Sequence, residues 1–359
     1  MAFKRLDPED FVVSSDSVTS TVWSNNTPSL NTYFTSSTQK DGTSGPYYLN
    51  VYQTASNSDS AAIQFQIAYA NKNGGGGTNF DGSVPFISPT TTIYGQYRTL
   101  VLEDENASFV WGDSNTGSAD NDFYVISIER ARYKQSLLPG SLNLILSSSN
   151  NLAPNAYIEL TDDSGMVTLP TYYGTQRAYQ LISGSDGKSY QAIAGGDGNG
   201  WTANNGSYGL VLPDISTILL NASALNNDTG TGGGINLATN SGSNTFGDNP
   251  TKLLTHISAS ATLAGVDNVF ELNSQETLTS DYVFVRTRNT EFNYSENPSF
   301  ISGSTGEVIY TYFINNPTTY PTTVGLYNDS NDLLAVAKLS KPLQKDFTKE
   351  ALVRVKLDF

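Results

Sequence analysis

Residues Ile63, Phe65, Ile67 and Tyr69 alternate with Gln64, Gln66 and Ala68. Successive side chains of a strand point to opposite faces, so period two marks a half-buried strand and rules out a helix over this segment. The pattern recurs at the other end of the chain. In Leu352-Val353-Arg354-Val355-Lys356-Leu357-Asp358-Phe359, Val353, Val355, Leu357 and Phe359 share one face, and Arg354, Lys356 and Asp358 share the other. Such regularity predicts that this last segment is tied into a sheet. Further strands are expected at residues 47–52, 109–111, 123–128, 142–146, 157–160, 178–182, 189–193, 208–212, 216–220, 282–287 and 308–313.

The composition agrees with a β-protein. Charged residues are only 15% of the 359-residue chain, with 21 Tyr, 16 Phe and 31 Gly. Aromatic and β-branched side chains fit pleated surfaces, and Gly and Asn fit turns. The expected fold is mainly β: sandwich-like antiparallel sheets with long Gly/Asn/Ser-rich loops and one or two short helices. The loops are Asn71 to Gly77, Gly195 to Gly200, and Asn226 to Asp248. The helix is placed at Asn249 to Ile257, where Asn249 would cap and Pro250 suits the first helical position. The expected organisation is an extended N-terminal arm over 1–35, a β-rich domain over 36–150, a middle β-rich region over 151–265, and C-terminal strands over 266–359. The last part could complete a discontinuous domain with the N-terminal part. No repeat of fixed period appears.

The net charge of −15 argues against nucleic acid, which needs clustered Lys and Arg. With no cysteine, neither disulfides nor thiolate metal sites can form. The first ten residues lack a secretory apolar run, and no stretch approaches the roughly 18 apolar residues of a membrane helix. The chain is therefore expected to be made in the cytoplasm, without membrane insertion.

Three segments resemble virion structural proteins of T4-like tailed phages of the marine cyanophage type. They are Ile128-Glu129-Arg130-Ala131-Arg132-Tyr133-Lys134-Gln135-Ser136-Leu137-Leu138-Pro139-Gly140, the run from Arg288 through Asn-Thr-Glu-Phe-Asn-Tyr-Ser to Phe300, and Thr322 to Asp329 followed by Leu333 to Leu343. With the N-terminal arm they span about half of the chain. The resemblance implies a tail- or baseplate-associated structural protein in the virion, made in the host cytoplasm and held by other virion proteins in a homo-oligomer or hetero-assembly. The Gly-rich stretches are not part of it.

Physically these segments look like assembly parts. Asn293, Asn297 and Pro298 would set a turn that Phe292, Tyr294 and Phe300 anchor, either to this chain's own core as an intramolecular loop, the plainer reading, or to a neighbouring subunit. Strand alternation would put Arg130, Arg132 and Lys134 on one face, either toward an acidic neighbour or toward this chain's own carboxylates. Phe3, Phe11 and Trp23, spaced along the polar arm, would reach onto a neighbour.

Catalytic patterns are sparse. The one histidine, His256, reads as structural. Asp162–Asp163 and Glu291–Glu296 are the carboxylate pairs that a glycan-cleaving site would use, with turn residues as the plainer reading of Asp162-Asp163-Ser164-Gly165. Asp197-Gly198-Asn199 lacks the spacing of a calcium loop. No cofactor, metal or catalytic residue is expected. The alternative function is a host-receptor or surface-glycan-binding module of a fibre or baseplate tip. A depolymerase, neck or capsid-decoration role ranks lower.

Overall fold

The computed structural model describes residues 3–35, 48–74, 89–111, 119–149, 157–189, 207–227, 233–240, 246–263, 265–295 and 297–358. Two compact units divide the chain. The larger is Val18–Glu276, and the smaller joins Met1–Ser17 to Thr277–Phe359. Nothing divides the chain at 150 or 265, the two inner boundaries expected from composition. Strands on either side of residue 150 pair directly, Leu144 opposite Leu160.

In chain order the strands are β1 (Phe11–Thr21), β2 (Ser29–Leu30), β3 (Phe34–Thr35), β4 (Tyr48–Tyr52), β5 (Ile63–Asn71), β6 (Phe109–Val110), β7 (Ala119–Asp120), β8 (Asp122–Ile128), β9 (Ser136–Leu137), β10 (Asn143–Ser147) and β11 (Tyr157–Asp162). They continue with β12 (Thr171–Tyr173), β13 (Gln176–Ser185), β14 (Lys188–Ser189), β15 (Gly209–Leu212), β16 (Thr217–Asn221), β17 (Phe270–Glu271), β18 (Asn273–Thr287), β19 (Thr323–Tyr327), β20 (Leu333–Lys338) and β21 (Ala351–Asp358). The helices are α1 (Pro89–Leu102), α2 (Ala222–Asn226), α3 (Asn249–Ser260) and α4 (Thr311–Asn315). The protein is mainly β, its described strand pairs antiparallel, with few short helices.

The larger unit is built on a thirteen-stranded sheet whose path runs β2-β17-β10-β11-β13-β15-β16-β8-β5-β4-β3. Its two ends, β2 and β3, are separated by only residues 31–33 of the chain. The sheet is therefore rolled up, and the chain itself closes the seam. Trp23, Phe65 and Phe270 pack edge to face there, with Trp23 and Phe270 centroids 4.8 Å apart. The Trp23 indole N–H donates to the Phe270 carbonyl oxygen at 2.8 Å.

Alternation explains the two hydrophobic layers. On β8, Tyr124, Ile126 and Ile128 enter the enclosed core with Phe65, Ile67 and Tyr69 of β5, whereas Phe123 and Val125 face the opposite layer. That second layer is covered by α1, through Ile93, Tyr94 and Val101. Helix α3 buries Leu253, Leu254 and Ile257 in the enclosed core and touches both β10 and β5. These strands lie six ladder steps apart on the sheet path, about 29 Å if the sheet were flat. A single helix spans them because the sheet is rolled.

Two local expectations change. Asn249 is the first residue of α3 rather than its cap, and its side chain instead holds the Asn240 backbone, accepting from Asn240 N–H at 2.8 Å. Residues 308–313 are not a strand. Val308 makes one isolated bridge to Ile301, and the chain then turns into α4. The smaller unit contains residues 11–17 of β1, residues 277–287 of β18 and all of β21, in the order β1-β18-β21, with Val283 opposite Val355 and Val285 opposite Val353, and the separate hairpin β19–β20.

Candidate assembly surface

The smaller unit has almost no core. Among its described residues only Val283, Ala351 and Val355 are buried apolar side chains, against forty-seven in the larger unit. Eighteen of its large apolar residues are exposed. Isolated exposed apolar residues are normal on any protein, but a dense set on one small unit marks an interaction surface.

Its polar framework, by contrast, is tightly built around the turn at 288–293. Lys345 has no exposed surface, and its ammonium donates to the Asn293 side-chain oxygen at 2.8 Å and to the Asn289 carbonyl at 3.2 Å. Burial lowers the pKa of this lysine, against the pull of Glu291, Asp346 and Glu350. Glu291 accepts from Arg288 N–H at 2.8 Å and from Lys4 Nζ at 3.0 Å. The Arg288 backbone bond leads in holding its carboxyl below the usual range, with Lys4 adding to it. Thr319 Oγ1 donates to the Phe292 carbonyl at 3.1 Å.

Within that frame Phe292 sits at φ 53°, a left-handed backbone that is costly for a bulky residue. Its ring is exposed, as is that of Tyr294. Strain held in place by four polar partners presents two aromatic side chains outward. Phe300 instead packs within its own chain, edge to face with Phe313 at 4.9 Å, and leaves Tyr310 and Tyr312 exposed beside it.

The hairpin β19–β20 is apolar on both faces. Val324, Leu326, Ala335 and Ala337 occupy one face, and Tyr327, Leu333 and Val336 the other. A bulge between Leu326 and Tyr327 shifts the register, so that Leu333 and Leu334 share the space opposite Tyr327. Gly325 leaves room for this, since a Cβ there would come within 3.0 Å of the Tyr327 ring. Phe3 covers part of the face, edge to Tyr327 at 5.0 Å, yet Leu333, Leu334 and Val336 remain 53%, 68% and 60% exposed. A two-stranded hairpin is marginal in water on its own.

The remaining residues singled out in the sequence divide. Phe11 is exposed at the start of β1. Trp23, expected to anchor on a neighbour, is instead 2% exposed in the seam of the larger unit; its buried indole is used for closure. Arg130 and Arg132 lie in a single 3-10 turn, Arg130–Arg132, so strand alternation does not align them with Lys134. Arg130 stacks over Tyr133 and donates to its carbonyl, and Arg132 donates to Ser24 Oγ at 2.6 Å. Lys134 is exposed, and its backbone N–H donates to Ser274 Oγ. Lys345, Leu333, Leu334 and Val336 were not singled out. The available signal for the last three was an apolar run, Leu333 to Ala337, too continuous for one face of a strand.

Groups that could do chemistry are tied into structure. Asp162 accepts from Gly140 and Ser164 N–H groups, which fits the left-handed Gly140 of the Leu-Pro-Gly turn. Asp163 accepts from Gln180 N–H, and burial raises its pKa to about 6. His256 Nδ1 lies 2.7 Å from the Ser147 carbonyl, so that nitrogen carries the proton. A polar depression of about 340 Å³ is lined by Gly140, Asn143, Asp186, Glu271 and Asn273; Asn143 donates to Glu271 at 3.1 Å. Among the described residues no cluster of His, Asp and Glu could hold a metal, and no helix is long and apolar enough to cross a membrane. Glu296, Phe359, Gly75 to Gly77, and the Gly195 to Gly200 loop with Asp197-Gly198-Asn199 lie outside the described residues. So does part of Asn226 to Asp248.

A scan against protein-family models, a search of curated proteins and a search of solved structures each found no match.

Proposed function

We propose that this chain is a structural component of a tailed-phage virion, associated with the tail or baseplate, that works through protein–protein contacts. The observation that carries the reading is the contrast between its units: one holds nearly all the described core, and the other exposes eighteen large apolar residues around three buried ones. A unit of about a hundred residues with so little burial gains its stability from a partner. Two of the three segments that resemble virion proteins lie within that unit. The larger unit is the rigid body, and the smaller one is the connector. No catalytic step is assigned.

The test is location. Quantitative proteomics of purified particles should find the chain at a fixed copy number, and tagged chain should label the tail in electron micrographs. Absence from particles would overturn the reading.

A second reading, a receptor- or glycan-binding module, rests on the exposed Tyr294, Tyr312 and Tyr320, since sugar faces stack on aromatic rings. Binding of the purified chain to host cells, lost when these tyrosines become alanine while particle incorporation stays normal, would favour it over the scaffold.

A further inference from the structure

We infer that the chain closes a covalent cross-link within its smaller unit, an amide between the Lys345 side-chain nitrogen and the Asn293 carboxamide carbon, formed with loss of ammonia. This self-modification goes beyond the assembly reading and does not depend on it.

Geometry singles out the pair. Both residues are buried, Lys345 at 0% and Asn293 at 3% exposure, in a unit with only three buried apolar side chains. Lysine is almost never fully buried unless paired. Yet the two hydrogen bonds from this Nζ go to neutral oxygens, Asn293 Oδ1 at 2.8 Å and the Asn289 carbonyl at 3.2 Å. A carbonyl bond is about 1.2 Å long, so Nζ lies within about 4 Å of Asn293 Cγ. Near-attack arrangements place the reacting atoms at about 3–3.5 Å. The Asn289 carbonyl also accepts from Asn293 Nδ2 at 2.6 Å. One backbone oxygen therefore holds the attacking nitrogen and the leaving nitrogen together. The last torsion of an asparagine is soft, and rotation about it turns the face of the carboxamide to the amine.

The step balances without an oxidant or a cofactor. Lysine reacts as the neutral amine, which burial favours against the fields of Glu291, Asp346 and Glu350; the ammonium proton goes to water. Nζ bonds to Cγ, a proton passes from Nζ to Nδ2, the Cγ–Nδ2 bond breaks, and ammonia leaves. The product replaces a buried cation, which is costly to desolvate, with a neutral amide. Small units with little core are commonly stapled by disulfides, and this chain has no cysteine. The amide would supply the staple, tying the turn at 288–293 to a residue fifty-two positions away.

The experiment is mass spectrometry of the purified full chain, intact and after trypsin. Wild type should be lighter by one ammonia, about 17 Da, than Lys345→Arg once the substitution itself is subtracted, because a guanidinium keeps the charge and the donors but stays protonated. Asn293→Ala should likewise keep its full mass. Trypsin should leave wild type uncut after Lys345 and release one branched peptide joining residues 289–338 to residues 339–349. The branched peptide decides the matter whether or not the variants fold. A wild type of full mass, cut after Lys345, would overturn the inference. So would an ammonia loss that persists in Lys345→Arg, which would place it elsewhere, as in a succinimide at Asn73-Gly74.

Discussion

Phe65 and Phe270 meet edge to face with ring centroids 5.4 Å apart, although their strands lie seven ladder steps apart on the sheet path. In a flat sheet that path would separate them by about 34 Å. Their contact defines the roll of the larger unit, and Trp23 completes it from the segment between β1 and β2.

Closing the seam should therefore dominate the stability of this unit. Phe270→Ala removes a ring from a fully enclosed site and is expected to cost about 3–5 kcal/mol, read as a fall in the urea midpoint. Trp23→Phe keeps most of the apolar volume but strands the Phe270 carbonyl, with an expected cost of about 1–3 kcal/mol. A change below 1 kcal/mol for Phe270→Ala would mean that the seam is not closed in solution.

Asp163 gives a pH signature. Its pKa is raised from 3.8 to about 6 by burial, so the folded state binds the proton more tightly than the unfolded state does. This group therefore favours folding most below about pH 4, loses that contribution as pH rises toward 6, and is flat above. Asp163→Asn keeps an oxygen to accept from Gln180 N–H and should flatten this part of the stability profile. It should stabilise at pH 7 by on the order of 1 kcal/mol. Thermal melts between pH 4 and pH 7 would show an unchanged slope if the carboxyl were not desolvated.

Lys345 tests the polar frame of the smaller unit. Lys345→Met keeps the stem but leaves the Asn293 side-chain oxygen and the Asn289 carbonyl without this donor. The expected cost is about 1.5–3 kcal/mol, confined to this unit. Amide exchange should accelerate at residues 289–293 and 345 while β8 and β16 stay protected. Uniform acceleration in both units would contradict the assignment.

Phe292 separates stability from assembly. Phe292→Gly should relieve the left-handed strain and raise the stability of the free chain by about 1 kcal/mol. The same change removes an exposed ring and should lower incorporation into particles. Loss of stability together with normal incorporation would show the ring to be an internal packing element.

Much of the larger unit was legible in the sequence because its strands are short apolar segments between turn residues, either alternating as in β5 or apolar throughout as in β15 and β16, which are buried on both faces: β4, β5, β8, β10, β11, β13, β15 and β16 all fall at expected segments. Helix α1 was not legible. Pro89-Thr90-Thr91-Thr92-Ile93-Tyr94-Gly95 has poor helix propensity, and the helix forms because Ile93 and Tyr94 bury on the outer layer. The roll was equally hidden, since a seam between Phe65 and Phe270 is long-range packing without a local pattern. The assembly surface was half legible. The turn at 288–293 announced itself through Asn293 and its flanking aromatics, but Lys345, which fixes it from fifty-two residues away, carries no local signal. Trp23 misled for the converse reason, because an apolar anchor in a polar segment looks the same whether it docks on a neighbour or on its own chain.

Hydrogen–deuterium exchange, compared residue by residue between the free chain and the chain in purified particles, tests the central claim most directly. The account predicts that amides of 283–358, above all those of β20, exchange fast in the free chain and become protected in particles, while the rolled sheet is equally protected in both. Strong protection of 283–358 in the free monomer, unchanged in particles, would contradict it.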